Sequence, residues 1–494
     1  MRSKIMGFTT QIFLFVFFPI CLLPYIIIDR ISAIKSISWI FEKLRVKDII
    51  IIVFSLGFYM WSSVNDLFRL LLYIFIVYLF GYLIQAIKTK KVNLRKSISL
   101  GIIPLVIAVL FVIFNLVYFN YMTFLVDCWN MMSGSYVLVN SLVAPIGISF
   151  ITFSAISYFT DIYRGHATSG SLIDCLLYIS FFPKVISGPI VLWKDFQGQI
   201  KTRAMSLNLS TDGLNRIMIG FAKKVILADS FGACLNEIPI DKMDQITAFG
   251  TLILYMLQIY YDFSGYSDIA IGIAKIFGFE FKENFNFPYR STSISEFWRR
   301  WHISLGTWFR EYVYIPMGGS RRGQWRTLRN LAVVFALTGI WHGAGWNYIL
   351  WGGINAAFAV VERVIQKKKF YIKTPKAIKY IITMIVVLMF WQLFKFQDFA
   401  DIGMVFNALF GNVPADTLSY NWMYYFDTQI IFFTVIGILG STLLGSPKII
   451  AWYNKAVSTK TGYLIQELVL LAVFVVAILF MVNSTYSPFI YFQY

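Results

Sequence analysis

The chain has 494 residues, 58% of them hydrophobic and only 14% charged, with 43 Lys and Arg against 25 Asp and Glu for a formal net charge of +18. Soluble domains run at about 45–50% apolar and about 25% charged, so this balance, with a mean hydropathy of +0.68, excludes a string of soluble domains and implies a polytopic membrane protein. In a soluble chain the basic excess would suggest nucleic acid, but no nucleic-acid-binding motif is present, and cytoplasmic loops of membrane proteins collect Lys and Arg; the expected partner is the lipid bilayer, not nucleic acid. The four cysteines, Cys21, Cys128, Cys175 and Cys234, are scattered without a CxxC pair, which argues against a zinc site or a disulfide framework.

Apolar segments of about 20 residues can span a bilayer as helices. In chain order they are 8–28, 49–64, 67–87, 97–119 and 142–163, then 214–234 and 247–263, which Lys223, Lys224 and Asp262 interrupt, and finally 327–345, 346–364, 378–396, 427–445 and 464–483. The first is too long for a signal-peptide core and is followed by Asp29 and Arg30, so it reads as a retained span. The segments 172–193 and 264–280 are broken by Pro183, Gly188, Pro189 and Gly265 and read as re-entrant, a form tolerated where protein or water satisfies the freed backbone. The expectation is an all-α polytopic protein of about 11–12 transmembrane helices plus re-entrant and interfacial helices. It forms one domain over 1–494, with N-terminal helices to 141, a core over 142–364 and C-terminal helices over 365–494.

Lys and Arg bias sets orientation. Loop 29–48 carries Arg30, Lys35, Lys43, Arg45 and Lys47, and loop 88–96 carries Lys88, Lys90, Lys91, Arg95 and Lys96, whereas 120–140 has no Lys or Arg. Further on, Lys367 to Lys369 with Lys373, Lys376 and Lys379 read as cytoplasmic, and 397–426, with acidic residues only, as external. The N-terminus is therefore expected outside a cell membrane. No long internal repeat is apparent, which leans away from a secondary transporter, and no Gly-Lys-Ser/Thr phosphate loop is present.

Two of the three histidines sit in tryptophan-rich apolar surroundings: His302 in EFWRRWHISL and His342 in GIWHGAGW. Ionisable residues at membrane depth are functional candidates, and imidazole is suited to moving protons near neutral pH. Segment 293–312 opens on a capping-box pattern, Ser293 to Glu296, and places Trp298, Trp301, Leu305, Trp308, Phe309 and Tyr312 at helical spacing opposite Arg299, Arg300, Arg310 and Glu311. It reads as one basic amphipathic helix at the cytoplasmic interface, with His302 bordering the apolar face, either as an active residue or as a structural histidine of an anchor helix. His342 lies in an apolar run bracketed by Gly339, Gly343 and Gly345, which permit close approach of a helix or a substrate. Forty residues separate the two and HExxH is absent, so no metal site is supported. Gly318 to Arg329, rich in arginine, reads as a positive-inside loop or as a holder of donor phosphates. Asp262 and Ser264 put polar groups into an apolar stretch, where Asp262 orients an imidazole or lines a substrate path.

Together, YDFSGYSD (261–268), NFNFPYR (284–290), EFWRRWHISL (296–305), YIPMGG (314–319) and GIWHGA (339–344) resemble the membrane-bound O-acyltransferase (MBOAT) family. FPKVISGP (182–189) and SPFIYFQY (487–494) are similar to its alginate O-acetyltransferase branch, with the D-alanine transferases of teichoic acids more distant. The resemblance implies a multi-helix fold with a central funnel or tunnel, His342 as the catalytic histidine and His302 as a second active-site position. Candidate substrate-contacting positions are Asp262, Ser264, Trp298, Arg299, Arg300, Trp301 and Trp341. The resemblance further implies transfer of an acetyl group from a cytoplasmic thioester, acetyl-CoA or another acyl thioester, toward an extracytoplasmic polysaccharide. No bound cofactor is implied; a secreted or membrane-anchored acetyltransferase partner and a polysaccharide acceptor are. D-alanyl or other acyl transfer to teichoic acid or peptidoglycan is the alternative within the class. A transporter with a histidine proton relay and a scaffold for a polysaccharide synthase are the alternatives outside it.

Overall fold

The computed structural model describes residues 6–32, 34, 38–89, 94–139, 143–414, 418–483 and 489–490. Of the positions read above, Lys35, Lys90, Lys91 and all of the 487–494 motif except Phe489 and Ile490 lie outside them. The described residues are helical and contain no strand. Seven of their helices are long and apolar enough to cross a bilayer: Phe13–Ser32, Val64–Thr89, Leu100–Asn120, Trp346–Ile365, Lys376–Lys395, Thr428–Gly445 and Lys460–Asn483. At about 1.5 Å per residue, 20 residues cover the roughly 30 Å hydrocarbon core. The expected segments 49–64 and 142–163 are occupied by Val46–Ser62 and Ile148–Arg164, 17 residues each, and 327–345 by Gln324–His342. The protein is a multi-pass, all-α membrane protein.

The residues form two compact units, one from 1–217 with 267–282, the other from 218–266 with 283–494. In the first, Phe8, Phe13, Phe58 and Phe182 pack ring on ring, with centroids 4.9 Å apart for Phe8–Phe13 and 5.6 Å for Phe58–Phe182. Segment 172–193 is indeed broken, into Leu172–Ser180, a single turn Phe182–Val185 and irregular backbone leading to Trp193. It is buried almost throughout, and side chains from neighbouring helices satisfy its freed backbone. Phe182 N–H donates to Ser55 Oγ (3.2 Å), Trp193 N–H to Ser157 Oγ (2.8 Å) and Lys194 N–H to the Asp161 carboxylate (3.0 Å), while the Tyr178 hydroxyl donates to Val191 O (2.8 Å). That is the condition under which irregular backbone is stable away from water.

In the second unit Gln324–His342 and Trp346–Ile365 form a tight helical hairpin. A Cβ at Gly339 would stand 2.6 Å from the Tyr348 carbonyl oxygen, and one at Gly352 only 2.8 Å from that of Phe335. The two glycines therefore bring the backbones together, the packing mode that replaces hydrophobic driving force inside lipid. One expected break is absent, and one charged interruption is accommodated within its helix. The chain does not break at Gly265, because Gln245–Ile276 is one 32-residue helix; a Cβ at Gly265 would lie 2.7 Å from the Gly220 carbonyl oxygen, so this glycine serves close packing. Nor do Lys223 and Lys224 end their helix, which widens into a π-helical stretch, Lys223–Ala228, and continues as Asp229–Glu237. Lys224 is buried there because it pairs with Asp229 and, at 2.9 Å, with Asp262.

Candidate active site

The expected single helix over 293–312 is in fact two, Ile294–Arg300 and Ile303–Phe309, followed by a π-helical turn Arg310–Tyr314. The start is as read: Ser293 Oγ accepts the Glu296 N–H (3.0 Å). The Glu296 carboxylate reaches Thr292 N–H (3.0 Å) and Arg300 Nε (3.0 Å) instead of closing the box on Ser293. Partial burial works to raise the Glu296 pKa, but the Thr292 N–H and the Arg300 guanidinium outweigh it and hold the carboxyl below its usual range.

The break at His302 has a specific cause. In an unbroken helix Ser304 N–H would donate to Arg300 O and Ile303 N–H to Arg299 O. Here the segment 284–286 takes over these groups: Asn286 N–H donates to Arg300 O (2.9 Å), Ile303 N–H to Asn284 O (2.9 Å) and Ser304 N–H to Asn284 Oδ1 (3.2 Å). Between the two helices His302 adopts the left-handed conformation, φ 45° and ψ 54°, which costs a non-glycine residue roughly 1–3 kcal/mol and persists only where the surroundings over-determine it. Its ring is buried, edge-on to Phe263 with centroids 4.7 Å apart and 88° between planes. Nδ1 lies 3.1 Å from Asn284 Oδ1, and Nε2 has no hydrogen-bond partner among the described residues.

His342 is the last residue of its helix, half-buried at the turn of the glycine hairpin. Three aromatic rings surround its imidazole: Trp341 at 4.7 Å, Trp351 at 5.1 Å and Phe394 at 5.1 Å, the last two edge-on. Trp341 also lies 6.3 Å from the His302 ring, so the fold brings to one site two histidines that are 40 positions apart. The wall extends outward through Trp298, 5.5 Å from Trp351 and donating Nε1–H to Asn355 Oδ1 (3.1 Å), and through Trp301, tilted against Trp391 at 4.7 Å, which in turn meets Phe394 at 5.9 Å. Such a lining excludes water and sharpens any polar interaction made inside it.

The other sequence candidates divide. Asp262 and Ser264 flank Phe263, the ring against His302. Asp262, however, engages Lys224 and accepts the Ile490 N–H (2.8 Å), so its partners are structural and include no imidazole. Ser264 Oγ is buried without a hydrogen-bond partner among the described residues. Arg300 is held by Glu296 and the Asn286 carbonyl, while Arg299 is exposed. Asn284, Phe263, Trp351, Trp391 and Phe394 were not singled out by sequence. Asn284 stood within a quoted motif, yet no spacing signals a contact to a residue 18 positions on, and the aromatics look like ordinary core.

The family model for MBOAT, the membrane-bound O-acyltransferase family, matches residues 98–397, which contain both histidines and the whole wall. The chain belongs to the membrane-bound O-acyltransferase family. It is thus a membrane acyltransferase. It is 30% identical to a probable alginate O-acetylase AlgI of Azotobacter vinelandii, covering 99% of this chain and 100% of the relative. It is 34% identical to the corresponding Pseudomonas aeruginosa protein, over 82% of this chain and 75% of that one. A peptidoglycan O-acetyltransferase of Helicobacter pylori is 30% identical over 83% of this chain and 81% of its own length.

Proposed function

We propose that this MBOAT enzyme passes an acetyl group from a cytoplasmic thioester donor, acetyl-CoA or another acyl thioester, toward an extracytoplasmic polysaccharide, directly or through a secreted or membrane-anchored acetyltransferase partner. The supporting observation is the pairing of His302 and His342 about Trp341 inside an aromatic wall. The relatives' names, which speak of alginate and peptidoglycan O-acetylation, favour acetyl as the group and a glycan as the acceptor. In this reading His342, the more accessible of the two, takes the proton from the acceptor hydroxyl as its oxygen bonds to the thioester carbonyl carbon. The C–S bond breaks, and the proton passes to the departing thiolate. Trp298, Trp301 and Trp341 shape the dry pocket around the acyl group.

The arginines have a place in this scheme. Arg321, Arg322 and Arg326 are exposed at the start of the helix that ends at His342. With about 1.5 Å of rise per residue, Arg326 is roughly 24 Å from His342 along the axis. An anionic donor head held by these arginines therefore needs a long flexible arm to present its thioester at His342, which suits a coenzyme or carrier-bound thioester. The test is His342→Ala in cells with glycan O-acetyl content as readout. The expected result is a fall of about 10²-fold or more at unchanged protein level; unchanged acetylation would overturn the reading.

A further inference from the structure

The hydrogen bonds around His302 fix which of its nitrogens carries the proton. Asn284 Oδ1 faces three groups: the Ser304 backbone N–H (3.2 Å), the Ser304 hydroxyl (2.9 Å) and His302 Nδ1 (3.1 Å). A backbone N–H can only donate, so the amide atom facing it is the oxygen, and the flip of Asn284 is settled without reference to the histidine. The Ser304 hydroxyl also lies 3.4 Å from Nδ1, but its single hydrogen is directed to the nearer Asn284 Oδ1, so it too meets Nδ1 as an acceptor; facing two acceptors, Nδ1 of His302 is the N–H. A neutral imidazole has one donor and one acceptor nitrogen, so Nε2 carries the lone pair. Nε2 is buried and has no hydrogen-bond partner among the described residues. The Phe263 edge contact fixes the plane of the ring, and the two backbone bonds to segment 284–286 hold His302 in its left-handed conformation. Every observed contact therefore serves to hold this ring with an accepting nitrogen in a dry site.

We propose that Asn284 is a positioning residue that locks His302 in the Nδ1–H tautomer and makes Nε2 a second proton acceptor of the acyl-transfer site. The assignment rests on the acyltransferase reading above and deepens it. A neutral His302 in this tautomer has no N–H at Nε2 with which to polarise a thioester carbonyl, so its part is to receive a proton. The proton that His342 takes as the acceptor O–H bond breaks is relayed to Nε2 of His302, the new imidazolium keeps its Nδ1–H on the Asn284 oxygen, and the proton leaves again to the thiolate when the C–S bond has broken. Nothing is consumed, and Nδ1 never exchanges its proton. The logic is that of any active-site imidazole whose far nitrogen is tied down by a hydrogen-bond acceptor, with a neutral amide in place of a carboxylate.

The chain has only three histidines, so the full-length protein labelled with 15N-histidine in detergent gives three imidazoles to resolve, and His302→Gln identifies the one that matters. The expected spectrum shows His302 protonated at Nδ1 and unprotonated at Nε2; a His302 protonated at Nε2 overturns the proposal. Asn284→Leu removes the acceptor. It should abolish the pure Nδ1–H signature and lower kcat about 10²-fold, with KM for acetyl-CoA as the probe donor within about twofold. Wild-type kcat in this variant also overturns it. Asn284→Asp restores an acceptor and should bring back the Nδ1–H signal and part of kcat. Its negative charge favours the imidazolium and raises the His302 pKa, so the accepting form is lost at a higher pH and the acidic limb of the kcat profile moves up; a purely structural amide would leave that limb in place. Failure of the broader reading shows separately, as a wild-type protein that transfers no acetyl group while its tautomer is still read directly from the spectrum.

Discussion

Asp262 shows how far a single residue can be read. A carboxylate in an apolar stretch signals that something must pair it, because burying an isolated charge is prohibitively costly. The sequence leaves its partner open between an imidazole and a substrate. The structure supplies Lys224, itself held by Asp229, and the Ile490 N–H. Lys224 lies in the π-helical widening at Lys223–Ala228, a local irregularity that no apolar periodicity reveals. Breaking a buried pair by removing one partner typically costs about 3–5 kcal/mol, since the other charge is left uncompensated. Asp262→Ala should therefore lower the thermal midpoint of the detergent-solubilised protein sharply, while the fraction that remains folded keeps its donor KM. A variant of wild-type stability with a raised KM would instead place Asp262 on the substrate path. His302 and His342 were legible as a pair of unusual residues, but Asn284 was not, because its role is created by backbone hydrogen bonds across a loop.

At the scale of elements, apolar spacing located the helix faces correctly and misjudged their continuity. Over 293–312 the tryptophans do share a buried side, with Trp301, Leu305, Trp308 and Phe309 all buried, yet the helix is cut at His302 by donors and acceptors arriving from 284–286. Periodicity records which side chains seek the core; it is blind to a competing segment that captures the backbone. Glycine is similarly ambiguous. Gly265 looks like a breaker and is a packing contact, whereas Gly339, read as permitting close approach, does bring two backbones together, against Gly352, which the sequence did not single out. The hairpin they close is what carries His342, so its geometry should be sensitive to bulk. Gly339→Ala places a methyl 2.6 Å from the Tyr348 carbonyl oxygen and 2.8 Å from Gly352 Cα, backbone atoms that cannot swing aside. Overpacking of this kind costs about 1–3 kcal/mol. The expected outcome is a modest fall in thermal midpoint with a disproportionate loss of acetyl transfer, since a displacement of about 1 Å at a reacting group can cost 10²-fold in rate. Gly353→Ala, whose Cβ would meet nothing within 4 Å, is the control and should behave as wild type.

For the molecule as a whole the question is which side of the membrane each end of the site faces, and two separate charge patterns in the second unit give one answer. Arg321, Arg322, Arg326 and Arg329 stand at the start of the helix that ends at His342. Lys373, Lys376 and Lys379 stand at the start of Lys376–Lys395, whose far end brings Phe394 against the His342 ring. If basic clusters mark the cytoplasm, both helices run outward and both deliver their ends to the external side of the site. The donor then has the long approach and the acceptor hydroxyl the short one, which suits a flexible thioester arm on one side and a bulky glycan on the other. Lys368 and Gln397 are exposed and flank the 20-residue helix Lys376–Lys395, whose length of roughly 30 Å matches the hydrocarbon core. Of the native cysteines Cys21, Cys175 and Cys234 are buried, and Cys128 is half-buried, so Cys128→Ser provides a quiet background for labelling. In that background a membrane-impermeant maleimide applied to intact cells should modify Gln397→Cys readily and Lys368→Cys only after permeabilisation. The reverse pattern would put His342 at the cytoplasmic end of its helix and the arginines outside, and transfer from a cytoplasmic donor held by those arginines would then be untenable.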